Sequence, residues 1–541
     1  LGQARVRGRP SLLLCTSGSA AAGYFPAIVE AAGSYTPLLV LTADRPFELQ
    51  DCGAPQCMDQ VKLYGGFARH YFELGQPDPA AGALDALQRM LAQAVEASLA
   101  PLPGPVHLNA RARKPLEPVA AVNEASRALR AAVDRRLERG PTRTYSSGLR
   151  AGTPAGVEAL TRACQAHARG LIVCGPMADA SALDGLLALA AATGYPLFAE
   201  ATSQLRFAKP AALSSAVTWL GALDALFASP LLETHAPELV LVCGAAPTSS
   251  AFERWRAQTA ANVAVLTAHG FLDPASRARW LVQGDVGSVA SEVGRALTRS
   301  GSAALPRAQQ VAFVSAWQAA DERYYELVQD LVQRERALPL TEAVAVQLGV
   351  ATLPRGAWLG LGNSLPVRDI DAFVAPAARG LRVWSQRGVN GIDGLVSGAV
   401  GAATVARAPS LTLLGDISFL HDVGGLAAAR ELESPLVLLV IDNGGGRIFE
   451  ELPIATTLAD RPELLRFWTT PHALELGHAA ALYGLPYAHV NTAAELTRAV
   501  EAALQHRGCS VVHARVVPDS AREARRQLRT GLHAAIGGAP A

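Results

Sequence analysis

The chain has 541 residues, half of them hydrophobic and 18% charged. That is enough apolar material for several packed cores, and it excludes disorder as the dominant state. Forty-eight basic residues against 47 acidic ones leave a net charge of +1, which argues against nucleic-acid binding by bulk electrostatics. Only Lys62, Lys114 and Lys209 of the basic residues are Lys, so an Arg here carries functional weight only where its context singles it out.

Residues 11–14 form a short apolar run that ends in Thr16-Ser17-Gly18-Ser19. A helical pattern follows to about Ala32, and residues 38–41 make a second run, ending in Thr42-Ala43-Asp44-Arg45-Pro46. Strand, small-residue turn, helix, strand is the βαβ unit of a parallel sheet. Residues 106–109 give a third strand, and 112–150, rich in Pro, Arg and Ala with weak periodicity, suit a linker. A second α/β block has strands at 171–174, 239–243 and 263–266, and 298–310 reads as another linker. The third block carries the most continuous apolar runs, at 358–361, 381–384, 411–414, 435–441 and 511–517. Such runs belong to parallel strands buried on both faces. The fold class is therefore α/β, with three parallel-sheet domains at 1–120, 151–300 and 310–541 and a linker at 121–150.

The seven Cys are scattered and contain no CxxC, which reads as a reduced, cytoplasmic protein without structural zinc. No apolar run approaches the roughly 20 residues of a membrane span. The twelve His show no metal-ligand spacing, and His70 and His107 read as packing or surface residues.

The sharpest feature is Gly415-Asp416-Ile417-Ser418 followed by Asp442-Asn443-Gly444-Gly445-Gly446. Asp416 and Asn443 each close a strand, and residues 419–433 between them have a helical pattern. A right-handed crossover makes the two strands parallel and neighbouring. Their carboxyl ends are where α/β sheets bind ligands. Asp416 and Asn443 offer oxygens suited to Mg²⁺. Ser418 is placed to cap the crossover helix, whose N-terminus favours a diphosphate. Gly-Asp or Asn-Gly alone is an ordinary strand-end turn; the pair at this spacing is more specific.

Gly-Asp with Asn 27 residues on resembles the signature of thiamine-diphosphate enzymes. Further stretches resemble the 2-succinyl-5-enolpyruvyl-6-hydroxy-3-cyclohexene-1-carboxylate synthase family of menaquinone biosynthesis. They are Thr16-Ser17-Gly18; Leu41-Thr42-Ala43-Asp44-Arg45-Pro46 with Glu48-Leu49 and Asp51-Cys52-Gly53-Ala54; Gly362-Asn363-Ser364-Leu365 with Arg368; and Arg387-Gly388 with Gly391-Ile392-Asp393-Gly394-Leu395. The Gly-Asp-Ile-Ser variant and Ile448-Phe449 also agree. Another thiamine-diphosphate 2-oxoacid decarboxylase, an acetohydroxyacid synthase or an inactive cofactor-binding relative are the alternatives.

The resemblance implies the cofactors thiamine diphosphate and Mg²⁺ or Mn²⁺, with the metal on Asp416, Asn443 and the Gly445 carbonyl. It implies cofactor contacts from Gly415, Ser418, Gly391, Ile392, Ile448 and Phe449, with Ile392 supporting the bent cofactor. It implies decarboxylation of 2-oxoglutarate and addition to isochorismate, with Arg45, Gln56, Ser364, Arg368 and Arg387 at the substrates. It implies a homodimer or homotetramer. Two departures stand out. The family's cofactor-activating glutamate aligns upstream of Leu1, so the chain reads as lacking an N-terminal segment. A family Lys-Arg pair for the second substrate has no counterpart around Thr248-Ser249-Ser250-Ala251.

Overall fold

The computed structural model describes residues 1–117, 119–140, 151–208, 217–300 and 308–537. The predicted linker positions 141–150 and 301–307 lie outside the described residues, as does Lys209. Two compact units are present. One holds Leu1, Gln3–Gly148 and Arg387–Val389; the other holds Gly2, Leu149–Gln386 and Asn390–Ala541.

The first unit is built on four parallel strands, β1 (Ser11–Cys15), β2 (Leu38–Asp44), β3 (His70–Gly75) and β4 (Pro105–Arg111), in the order β1-β2-β4-β3. The βαβ reading of the first 45 residues corresponds to β1, the helices Ser19–Gly23 and Phe25–Gly33, and β2. Part of the segment read as linker is a sixteen-residue helix, Glu124–Arg139, opened by a capping box on Asn123 and Ser126. It buries no residue, so it has no apolar stripe from which periodicity could reveal it.

His107, on β4, is buried, with its ring 4.7 Å from that of Tyr64 and 5.1 Å from that of Tyr71. Its Nε2 meets Thr42 Oγ1 at 2.9 Å, and its Nδ1 has no hydrogen-bond partner among the described residues. Burial pushes its pKa down to about 4. The folded state therefore refuses a proton that the unfolded chain takes up near pH 6.5. The contribution is whole above pH 6.5 and is lost as pH falls from there towards 4, at most about 3 kcal/mol in all. Urea titrations should show wild type losing stability between pH 7 and pH 5 relative to His107→Gln, by about 2 kcal/mol. Parallel pH profiles for the two proteins would contradict this assignment.

The second unit contains two six-stranded parallel sheets. The first comprises β5 (Gly170–Cys174), β6 (Leu197–Ala199), β7 (Trp219–Leu220), β8 (Leu239–Cys243), β9 (Asn262–Thr267) and β10 (Ala278–Gln283), ordered β10-β9-β8-β5-β6-β7. The second comprises β11 (Trp358–Leu361), β12 (Arg382–Ser385), β13 (Ser410–Gly415), β14 (Leu436–Asp442), β15 (Tyr487–Val490) and β16 (Cys509–Arg515), ordered β12-β11-β13-β14-β16-β15. β5, β8 and β14 are buried along their whole length, as their unbroken apolar runs require. The helix Ala308–Glu335 carries Phe313, Trp317 and Tyr324 into one hydrophobic core shared by both sheets. Fully buried Arg206 pairs with Asp371 at 3.0 Å and donates to the carbonyls of Ala199, Gly221 and Val374 and to Tyr325 Oη. A guanidinium is tolerated there because its donors are satisfied. Among the described residues no helix is long and apolar enough to cross a membrane.

Candidate active site

β13 and β14 pair in parallel, with Gly415 opposite Ile441, so their carboxyl ends deliver Asp416 and Asn443 side by side. The connection between them differs from the predicted single helix. It is broken into the helix Asp416–His421, a 3₁₀ turn Val423–Gly425 and the short helix Leu426–Ala429. Ser418 is not a cap. The helix opens at Asp416 with Gly415 as N-cap, which leaves Ser418 in the third helical position without a capping bond. The helix follows the strand directly, with no intervening turn, and so starts three residues before the predicted 419.

A cavity of about 230 Å³ opens at these strand ends. It is lined by Ser364, Ile392, Gly415, Asp416, Ser418, Asn443, Gly445, Ile448 and Phe449, all predicted from sequence. Glu342, Asp369, Trp468 and Thr470 also line it and were not predicted. The volume falls below the roughly 300 Å³ at which drug-sized pockets begin. Gly391 is outside the lining, but its carbonyl accepts from Asn363 Nδ2 at 2.6 Å beside Ile392. Ser364 has φ +70°, a strained backbone for a residue with a side chain. Arg368, one turn further along the helix Leu365–Phe373, donates to the Ser364 carbonyl at 2.6 Å rather than lining the cavity. Burial, and then the charge of Arg525, lowers its pKa.

The Asp416 carboxylate is buried. Oδ1 accepts from the Ile417 N–H at 2.7 Å; Oδ2 accepts from the N–H groups of Gly444 and Gly445 at 3.0 and 2.8 Å and meets His472 Nε2 at 3.1 Å. Asp416, Asp442 and His472 offer ligand atoms within 4.8 Å of one another. Burial, followed by Asp442, raises the Asp416 pKa to about 6. Burial works upward on Asp442 too, but hydrogen bonds from His513, Asp416 and the Gly444 N–H and the charge of Arg515 outweigh it. Asp442 is thereby held below the usual carboxylate range and ionises before Asp416. His513 meets Asp442 Oδ2 at 2.8 Å and Tyr487 Oη at 2.8 Å.

Asn443 is buried. Its Nδ2 donates to Glu342 Oε1 at 2.5 Å, while Oδ1 has no partner among the described residues. An orphaned buried oxygen in the cavity that Asp416 also lines is suited to a cation. Hard oxygen donors favour Mg²⁺ or Mn²⁺ over softer ions. Burial, then Asp369, raises the Glu342 pKa to about 8. Arg525 ties Asp369 to Glu451 beneath it.

Asp442, His472 and Glu342 escaped the sequence reading. Asp442 lay inside the quoted motif, and its neighbour drew the assignment. His472 and Glu342 reach the site from 56 and 101 residues away with no local pattern.

The other sequence-predicted residues lie in the first unit. Arg45 donates to Gln56 Oε1 at 3.1 Å, so these two do meet. A buried network fixes the Arg45 backbone. Its N–H donates to Asp44 at 2.7 Å, its carbonyl accepts from Arg111 at 3.0 Å, and Arg111 pairs with Asp44 at 2.9 Å. Arg387 opens the segment Arg387–Val389, whose Gly388 and Val389 N–H groups each donate to the Glu30 carboxylate at 2.8 Å. In the second unit, the stretch without the Lys-Arg pair serves the fold. Thr248 N–H donates to Glu200 at 2.8 Å, and Ser249 caps the helix Ser250–Gln258.

Residues 1–63 match the N-terminal TPP binding domain of thiamine pyrophosphate enzymes, and residues 374–514 match the C-terminal TPP binding domain. Among solved structures, a provisionally assigned thiamin diphosphate-dependent enzyme of Mycobacterium smegmatis superposes with a TM-score of 0.66 at 17% identity, covering 96% of this chain and 89% of that one. This likeness concerns the fold alone. A 2-succinyl-5-enolpyruvyl-6-hydroxy-3-cyclohexene-1-carboxylate synthase of Roseiflexus sp. (strain RS-1) is 36% identical over 529 residues, 95% of this chain and 85% of its own. The synthase of Sorangium cellulosum (strain So ce56) is 44% identical over 557 residues, spanning 100% of this chain and 88% of its own length. With a thiamine-pyrophosphate fold, a metal-suited cavity at its strand ends and that identity along its whole length, the chain belongs to the 2-succinyl-5-enolpyruvyl-6-hydroxy-3-cyclohexene-1-carboxylate synthase family.

Proposed function

We infer that the protein decarboxylates 2-oxoglutarate and adds the resulting four-carbon unit to isochorismate, with thiamine diphosphate and Mg²⁺ or Mn²⁺, in menaquinone biosynthesis. The observation that carries this is the 44% identity to a named synthase over the whole chain. When bound, thiamine diphosphate supplies the carbanion chemistry that the side chains lack.

The side-chain oxygens of Asp416 and Asn443, with the Gly445 carbonyl, hold the ion. Gly415 and Ser418 border the diphosphate. Ile392, with Gly391 beside it, supports the cofactor's bend, and Ile448 and Phe449 exclude water from the reacting centre. Arg45, Arg368 and Arg387 bind substrate carboxylates, with Gln56 and Ser364 as hydrogen-bonding partners. The guanidinium fork suits that task, and the buried anchoring of Arg45 supports its part. The presence of three separate parallel sheets supports the three-domain division at 1–120, 151–300 and 310–541. Seven free cysteines support a cytoplasmic location. Exposed Leu12, Leu14, Phe25 and Phe67 on the first unit support assembly as a homodimer or homotetramer.

Mass spectrometry of the full gene product, given both cofactors, tests the reading. It should consume 2-oxoglutarate and convert isochorismate to the coupled acid. Arg45→Ala should raise KM for a carboxylate substrate about 10–100-fold, since a hydrogen bond to a charged group is worth roughly 1.5–3 kcal/mol. Turnover of pyruvate or benzoylformate in place of 2-oxoglutarate would move the protein to another thiamine-diphosphate activity.

A further inference from the structure

We propose that Glu342 is a positioning residue for the metal, holding the Asn443 amide in the one orientation that offers its oxygen to the ion. The inference rests on Asn443 being a metal ligand. A primary amide has a donor end and an acceptor end, and only the acceptor end binds a cation. Rotation by half a turn would place NH₂ towards the ion, so some group must select between the two. Glu342 is that group. It is buried, lines the same cavity, and accepts from Asn443 Nδ2 at 2.5 Å. The amide's other end, Oδ1, has no partner among the described residues.

A protonated carboxyl keeps one acceptor oxygen, so the constraint survives protonation of Glu342 with the proton on Oε2, the oxygen that does not meet Asn443. Glu342 is itself fixed. It opens the helix Glu342–Ala351, which Thr341 caps, and its N–H donates to Ser520 Oγ at 3.1 Å. The arrangement follows the general pattern in which a neighbouring acceptor orients a metal ligand and sets affinity without touching the ion.

The test is Mn²⁺ affinity in the presence of thiamine diphosphate, read from the paramagnetic resonance of free Mn²⁺. Ligand-free melting and circular dichroism serve as folding controls. Glu342→Gln keeps an acceptor and should bind within about threefold of wild type. Glu342→Met removes the acceptor at similar size and should weaken binding about 10–100-fold. Adding Asn443→Asp to Glu342→Met should restore binding to within about threefold, because a carboxylate presents oxygen at either end. Wild-type affinity in Glu342→Met overturns the proposal, and so does a double variant as weak as Glu342→Met, which would make the role one of packing. If Glu342→Met does not fold, Glu342→Gln carries the test, and a loss beyond tenfold there overturns it. Asp416→Ala is the control for the site: if it also binds Mn²⁺ as wild type does, the metal assignment fails rather than the positioning role.

Discussion

Asp416→Ala is expected to abolish metal-dependent binding of thiamine diphosphate and to lower turnover by at least about 10²–10³-fold. Asp416 is the charged ligand of the proposed set, at the end of β13, and its carboxylate also gathers the N–H groups of Gly444 and Gly445. Its loss removes an ion ligand and releases the glycine turn that presents another. Calorimetric titration of thiamine diphosphate with and without Mg²⁺ checks this. Wild type should bind only with metal, and the variant should show no difference between the two conditions. Metal-dependent binding at wild-type affinity in Asp416→Ala would remove it from the site.

The second large effect is expected at Gly445. Its φ is +139°, and a Cβ there would stand 2.4 Å from the Thr469 carbonyl oxygen. That oxygen already accepts from the Gly446 N–H at 2.6 Å. No flexible side chain can yield, so backbone must move. Gly445→Ala should cost about 1–3 kcal/mol of stability. It should also cost at least about 100-fold in Mn²⁺ affinity, since the turn supplies both a ligand and two donors to Asp416. Melting without ligand and Mn²⁺ binding measure the two separately. An unchanged Mn²⁺ affinity would show that the Gly445 carbonyl is not a ligand.

What was legible in the sequence has a common physical origin. Asp416 and Asn443 stand out because each follows a long apolar run, and the ends of buried parallel strands are where ligands bind. Arg45 and Gln56 were found through the Thr-Ala-Asp-Arg-Pro resemblance, and they share a hydrogen bond. The strands that escaped, β3, β6, β7, β10 and β15, are sheet edges or three residues long. An edge strand such as β15, with Tyr487 exposed, lacks the continuous hydrophobicity of an inner one. Glu342, His472 and His513 were invisible for a different reason. Each acts on a strand-end residue that only the tertiary fold brings near, and no local spacing encodes such a meeting. Ser418 shows the limit of boundary prediction, because the helix starts at Asp416 directly after the strand and so takes Ser418 from cap to interior.

The most direct test of the central claim is anomalous diffraction from crystals of the protein grown with thiamine diphosphate and Mn²⁺. The account predicts one Mn²⁺ peak at the β13–β14 strand ends, coordinated by Asp416, the Asn443 side-chain oxygen and the Gly445 carbonyl, with the diphosphate as a further ligand. A peak held instead by Asp442 and His472, or cofactor density with no metal at Asp416, would contradict it.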